Sequence, residues 1–452
     1  MRLLLLAVPL LAWCADWPQF RGPNGAGVAE DTLAYPARFR AVWKAAVAEG
    51  LSSPVVAGQR IFVTGLEGER FVVEALDRAT GRPLWKRHVP RVRAEKLHKL
   101  NHAASPSVAV DGDRVVAFFP GFGLVCYTVA GEEQWRTPMG PFQNIYGMGV
   151  SPVISAGRVI LIVDQSVGSY AAAFSLANGE QLWKTPRKEA LSGHSTPVIR
   201  GKWVLAPGSL RMEAYEVETG RVAWGVDGLP AEMKSVPVVH GDLVIVHGFN
   251  TPENDAGKLL AIPAFAEALK GFDKDGDGRL AKAEAPLPHA AQNWVFLDAD
   301  GDGLLDRGEW EMYVRSMRAE NALLAYKIGD GLAWKFLRSI PQLPSPLVYR
   351  GVLYMINEGG VLTTLDAATG RVYKQSRLRG EADRYYSSPV AADGKVYIVS
   401  HTGTVAVLKA GGEQELLGVN TVDEEVLSTP ALVDGRVLIR TKGTVYCYGA
   451  DQ

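Results

Sequence analysis

Two runs, Asp273 to Glu284 (DKDGDGRLAKAE) and Asp298 to Glu309 (DADGDGLLDRGE), repeat one arrangement of oxygen-bearing side chains. Each places carboxylates at loop positions 1, 3, 5 and 12 and glycine at position 6. This is the EF-hand spacing for a hard cation that gathers roughly six to eight oxygens. In the first loop Asp273, Asp275, Asp277 and a bidentate Glu284 are the expected side-chain ligands, with the Arg279 carbonyl at position 7. In the second the same roles fall to Asp298, Asp300, Asp302, Glu309 and the Leu304 carbonyl. Position 9 is Ala281 in the first loop but Asp306 in the second, where a carboxylate can reach the ion or hold its water. The pattern predicts two Ca2+ sites, the second binding more tightly.

The flanks are those such loops need. Phe265, Ala268, Leu269 and Phe272 follow helical spacing before the first loop, and Trp310, Tyr313, Val314 and Met317 follow it after the second. Leu280 and Leu305, at position 8 of each loop, are placed to pair as a short β bridge. Pro286 and Pro288 interrupt any long helix between the loops, which predicts a compact lobe rather than a wide-opening sensor.

These loops must be carried by the rest of a 452-residue chain with a net charge of -1 and 21% charged residues, a balance that points away from nucleic acid. Met1-Arg2 followed by the apolar run Leu3 to Trp13 reads as a signal peptide over residues 1–15, giving an exported protein, periplasmic or secreted. Trp13 is bulky where small residues precede an acylated cysteine, which argues against a lipid anchor on Cys14. No later stretch reaches the ~20 apolar residues of a transmembrane helix.

The body repeats with the glycine turns and short strands of a β-propeller. Units open at Ser53-Pro54, Ser105-Pro106, Ser151-Pro152, Thr196-Pro197, Val236-Pro237, Ser345-Pro346, Ser388-Pro389 and Thr429-Pro430. Six close on a tryptophan (Trp43, Trp85, Trp135, Trp183, Trp224, Trp334), read as a wedge between blades; Lys374 and Leu416 take that place in the other two. The last unit is one strand short, and Val42-Trp43-Lys44 supplies a strand to close the ring. The expected fold is therefore an all-β, eight-bladed propeller over 16–249 and 321–452, with a small α-helical calcium lobe inserted at 250–320 in the fifth blade. Cys126 and Cys447 fall at one repeat position in blades two and eight, too far apart for a disulfide, and read as free, buried thiols.

These repeats, with the N-terminal Trp17-Pro-Gln-Phe-Arg-Gly-Pro-Asn-Gly segment, resemble the bacterial PQQ-like, quinoprotein-dehydrogenase-like propeller proteins. That resemblance covers nearly the whole mature chain apart from the insertion. It implies the fold and leaves the activity open, since such repeats occur in quinoprotein alcohol dehydrogenases, outer-membrane assembly scaffolds and many exported proteins of unknown role. The dehydrogenases carry adjacent cysteines beside the quinone, and the sequence has neither these nor a Cys-x-x-Cys-His haem motif.

Other site candidates lie just before the blade openings. Asn101-His102, Tyr146, His194, Lys234 and Arg384-Tyr385-Tyr386 are expected to converge near one channel mouth, as a ligand pocket or as strand-end caps. The leading expectation is a monomeric, non-catalytic module that binds a protein, peptide or polysaccharide partner. The alternative is a periplasmic PQQ-dependent oxidoreductase.

Overall fold

The computed structural model describes residues 16–29, 33–188, 190–285, 288–378 and 383–450. The leader-like run Leu3 to Trp13, Cys14 and Pro286 lie outside the described residues. Eight four-stranded antiparallel sheets form the blades of a propeller.

Blade 3, built from Val153–Ser155, Arg158–Val163, Tyr170–Ser175 and Gln181–Pro186, illustrates how the repeat folds. Its second strand is buried from Val159 to Val163 without alternation, because both sheet faces pack against neighbouring blades. The outer strand faces solvent except at Trp183. That ring lies on Gly220 of the next blade, where a Cβ would sit 2.4 Å from it, and the indole N–H donates to the Val217 carbonyl at 3.0 Å. Trp85 and Trp135 make the same contacts, donating to Val129 and Leu176 and resting on Gly131 and Gly179. Trp43 and Trp334 cover Gly81 and Gly370. Trp224 instead meets Trp203 of its own blade edge-on, with centroids 6.0 Å apart.

Register corrects two repeat assignments. Lys374 does stand opposite Thr364 at the tryptophan position, but in blade 7 that position is Gly418, opposite Val407, and Leu416 lies beyond the bulge. A side chain at Gly418 would strike the Ala37 carbonyl at 2.4 Å, so the incoming N-terminal segment occupies the wedge's place. In blade 2 the opening residue is Ser107 rather than Ser105. The strand Ala109–Asp111 begins two residues after it, as Val55–Ala57 begins two after Ser53.

The ring closes through its termini: Arg40–Ala46 pairs with Thr444–Gly449, placing Trp43 opposite Cys447. The segment Trp17 to Ala29 crosses the foot of the propeller. Its Trp17 pairs with Val56 in blade 1, the Asn24 side chain bonds Ile199 in blade 4, and Ala29 bonds Ala391 in blade 7. Cys126 and Cys447 are free and buried. No helix among the described residues is long and apolar enough to cross a membrane.

Blade 5 is interrupted after Leu243–Gly248 and resumes at Ala322–Lys327, with Gly248 opposite Ala322. Two fully buried asparagines clamp the neck of the inserted lobe. Asn321 accepts from the Asn250 N–H and donates to the Thr251 carbonyl, while Asn254 donates to the Ser316 and Ala319 carbonyls. Beyond the neck lie helices α1 (Phe265–Phe272), α2 (Pro288–Gln292), α3 (Trp294–Leu297) and α4 (Arg307–Arg318). They share a separate core that includes Phe265, Ala268, Trp294, Trp310, Tyr313 and Met317. Phe272 ends α1 outside that core, 38% exposed.

Candidate functional site

In the lobe, each acidic loop wraps around its own carboxylates. Gly278 and Gly303, at position 6, have φ of +82° and +87°, a left-handed turn that an L side chain resists. Asp273 accepts from the Gly276 and Gly278 N–H groups at 2.7 and 3.1 Å, and Asp277 accepts from Arg279 N–H at 2.8 Å. Asp298 and Asp302 repeat these bonds with Gly301, Gly303 and Leu304. Ligand oxygens of Asp273, Asp275 and Asp277 lie within 4.8 Å of one another, as do those of Asp298, Asp300 and Asp302.

Glu284 folds back to accept from Ala281 and Lys274 N–H groups, which hold its carboxyl below the usual carboxylate range. Glu309 accepts from Ala299 and Asp306, but burial raises it. Leu280 stands opposite Leu305, so the loops lie back to back as their spacing predicts. Arg279 joins them further through a 2.6 Å ion pair to Asp302. Asp306 has a second task that the sequence reading missed: its side chain caps α4 by accepting from Glu309 N–H at 2.9 Å.

A second candidate is the open mouth of the propeller, a cavity of about 390 Å³ that gathers Asn101, Tyr146, His194, Lys234 and Tyr386 from separate blades. His102 and Arg384 are not part of its lining, and Tyr385 turns into the core against Gly360. Glu232, which sequence reasoning passed over, organises the wall. It accepts from the Tyr146 hydroxyl at 2.8 Å and pairs with Lys234, whose ammonium lies 5.5 Å from the Tyr146 ring centroid. Its i, i+2 spacing from Lys234 was the only signal. Burial and then the Lys234 charge push His194 down to about 3, so its imidazole is neutral.

Below these residues runs a circle of hydroxyls that explains the Ser/Thr at the blade openings. Ser53 N–H donates to Ser107 Oγ, Ser107 to Ser151, and Ser151 to Thr196. The chain resumes from Val236 N–H to Ser345, then Ser388, Thr429 and back to Ser53. It breaks only where Val236 replaces a hydroxyl residue.

A cleft of about 280 Å³ lies between the mouth and the lobe. Tyr146, Glu232 and Asn250 border both cavities; Phe296, Met312 and Met317 form the lobe wall of the cleft, and Glu309 of the second loop reaches it.

Residues 37–166 and 164–451 match the PQQ-repeat family described as outer membrane protein assembly factor BamB. The protein of that name from Yersinia pestis is 23% identical over 384 residues, 80% of this chain and 87% of its own length. That of Burkholderia pseudomallei is 27% identical over 220 residues, 45% of this chain and only 52%, about half, of its own length. Among solved structures, BamB from Moraxella catarrhalis superposes with a TM-score of 0.59 at 10% identity, covering 91% of this chain and 99% of that one. A europium-containing methanol dehydrogenase gives 0.61 at 10% identity, covering 96% and 98%. The quinohemoprotein alcohol dehydrogenase from Comamonas testosteroni gives 0.60 at 12%, covering 97% and 81%. At such identities the likeness is one of fold.

Proposed function

Because the chain belongs to the family described as outer membrane protein assembly factor BamB, we propose that it is a non-catalytic, periplasmic propeller scaffold that docks a protein of outer-membrane assembly at its open mouth. The observation carrying this reading is the state of the mouth's ionisable groups. Glu232 is engaged by Tyr146 and Lys234, and burial holds His194 far below an imidazole's ordinary range, which makes it a weak base, so the wall offers fixed hydrogen-bonding and aromatic surface. One mouth is open as a cavity of about 390 Å³, while Trp17 to Ala29 crosses the other end.

Calcium belongs to the same reading. Asp273, Asp275, Asp277, the Arg279 carbonyl and Glu284 would hold one ion, and Asp298, Asp300, Asp302, the Leu304 carbonyl and Glu309 the other, with Asp306 beside it. The convergence of each aspartate triplet fits a hard cation. A bound ion supplies structural charge neutralisation; the carboxylates otherwise repel one another.

The quinoprotein alternative fits less well. Cys126 and Cys447 are buried in the sheets opposite Trp135 and Trp43, so neither supplies the cysteine pair that the resemblance implies beside a quinone. A photo-crosslinker at exposed His98, on the rim of the mouth, tests the scaffold reading in cells. Capture of an outer-membrane assembly component supports it. A quinone chromophore retained with alcohol-dependent dye reduction, and no such capture, replaces it with the alternative.

A further inference from the structure

The cleft of about 280 Å³ between the propeller mouth and the inserted lobe takes most of its lobe wall from the second acidic loop and the helices on either side of it. Phe296 and Leu297 end α3 directly before Asp298, and Ala299 and Glu309 belong to the loop itself. Glu309, Met312, Tyr313, Ser316 and Met317 then recur along α4 at the spacing of one helix face, and all five border the cleft. Among the described residues, none of the first loop, 273–284, borders it. Helix α4 is thus held at both ends. Glu309 in its first turn is the expected closing ligand of the second loop, and at the other end the Asn254 side chain donates to the Ser316 and Ala319 carbonyls. An ion that draws Glu309 toward Asp298, Asp300 and Asp302 therefore fixes the helix whose inner face carries Met312 and Met317.

The chemistry of the walls selects the occupant. Ile145, Tyr146 and Leu191 on the propeller side and Phe296 and Met312 on the lobe side are all only partly buried, so apolar surface faces open space. The described lining holds neither Lys nor Arg, while Glu232 and Glu309 place carboxylates on it. An anionic guest, such as a free carboxylate, would meet like charge there, whereas an uncharged apolar group would not. The volume lies just under the roughly 300–1,000 Å³ of ordinary small-molecule pockets, which suits a single large side chain better than a cofactor. The Tyr146 and Phe296 rings and the Met312 and Met317 thioethers favour an aromatic ring, through ring–ring and sulfur–ring contacts. Tyr146, Glu232 and Asn250 border the mouth as well, so a chain lying in the mouth can drop one side chain into the cleft.

We propose that the cleft takes one aromatic side chain from an internal position of the docked partner polypeptide, and that calcium in the second loop, more than in the first, sets its affinity. The identity of the partner rests on the scaffold reading; the cleft and its link to the second loop do not. The link is reciprocal: an occupant that binds more tightly with calcium raises the second loop's affinity for calcium by the same factor.

The test is NMR of the full chain labelled with 13C at the methionine methyl groups, titrated with N-acetyl-phenylalaninamide and, as the control probe, N-acetyl-alaninamide. Met312→Leu and Met317→Leu assign the two methyl signals. In saturating calcium the aromatic probe should move both signals and the control neither. Stripping calcium should weaken the aromatic probe about fivefold or more, the low end of ordinary coupling between sites. Glu309→Ala should do the same, and Glu284→Ala should cost less. Four results overturn the assignment: neither methyl signal moves, the control moves them equally, calcium changes nothing, or the two glutamate variants lose the same. Should Glu309→Ala unfold the lobe, calorimetry on the wild type decides, since the aromatic probe must tighten one of the two calcium events more than the other, and equal or absent tightening overturns it. Capture through His98 in cells without a probe shift overturns the cleft and leaves the scaffold reading standing. A probe shift linked to the second loop, without that capture, supports the cleft and removes the scaffold.

Discussion

Phe296 of the inserted lobe lies with its ring centroid 5.6 Å from that of Tyr146 on the propeller mouth. Tyr146 is also held by Glu232 and lies 5.7 Å from the His194 ring, so one aromatic contact joins the lobe to the polar network of the cavity. Phe296→Ala should loosen that joint. We expect faster hydrogen exchange in Arg307–Arg318 with the blades unchanged, and a coupling of about 0.5–1.5 kcal/mol to Tyr146→Ala in a double-mutant cycle.

Calorimetry on chelator-stripped protein should give two saturable calcium events. Glu284→Ala should remove one and Glu309→Ala the other, since each glutamate closes its own loop. A single event, or none at millimolar calcium, would refute the two-site reading.

Asp306 separates two roles that the sequence merged. Asp306→Ala should cost about 1 kcal/mol of lobe stability through the lost cap on α4, whereas Asp306→Asn keeps the cap. If Asp306→Asn leaves second-site affinity unchanged, the residue acts through the helix and not on the ion.

Low pH should weaken the propeller through one buried and two half-buried histidines. Burial pushes His102 and His247 down to about 4 and His194 to about 3, below the ordinary 6.5. The unfolded chain therefore binds protons that the folded chain refuses between pH 6.5 and about 4. This share of stability is complete above pH 6.5 and lost as pH falls through that window. His247→Gln, which can still donate to the Pro344 carbonyl, should give a Tm that falls less steeply from pH 7 to pH 5.

Ring closure predicts that deleting residues 40–46 lowers the Tm of every blade, because it bares the edge of Thr444–Gly449. The thiols report the same event. Burial pushes Cys126 up to about 12 and Cys447 up to about 11, so both should resist alkylation in the native protein. In the truncated chain, Cys447 should be labelled first, as seen by peptide mass mapping.

Much of this was legible in local spacing. Tryptophans recurring after Thr-Gly turns disclosed the blades, and acidic residues at alternate positions with glycine at position 6 disclosed two loops suited to calcium. Both signals are short-range, as turns and alternating strands depend on neighbouring residues. Gly418 and Ser107 were misplaced because a bulge, or a shift of two residues, leaves the strand pattern intact while changing which residue faces the next blade.

The sequence by itself determined the repeat count, the point of insertion and the chemical character of each loop, because those follow from periodicity and side-chain type. Only the tertiary structure decided that Glu232 would bind Tyr146, that Phe296 would reach across to the mouth, and that Arg21 would be enclosed without a counter-charge. These are meetings of residues from different blades, of the inserted lobe with the propeller, or of the N-terminal segment with the blades. Their partners are chosen by the closure of the ring and the angle of the neck, which no local pattern encodes.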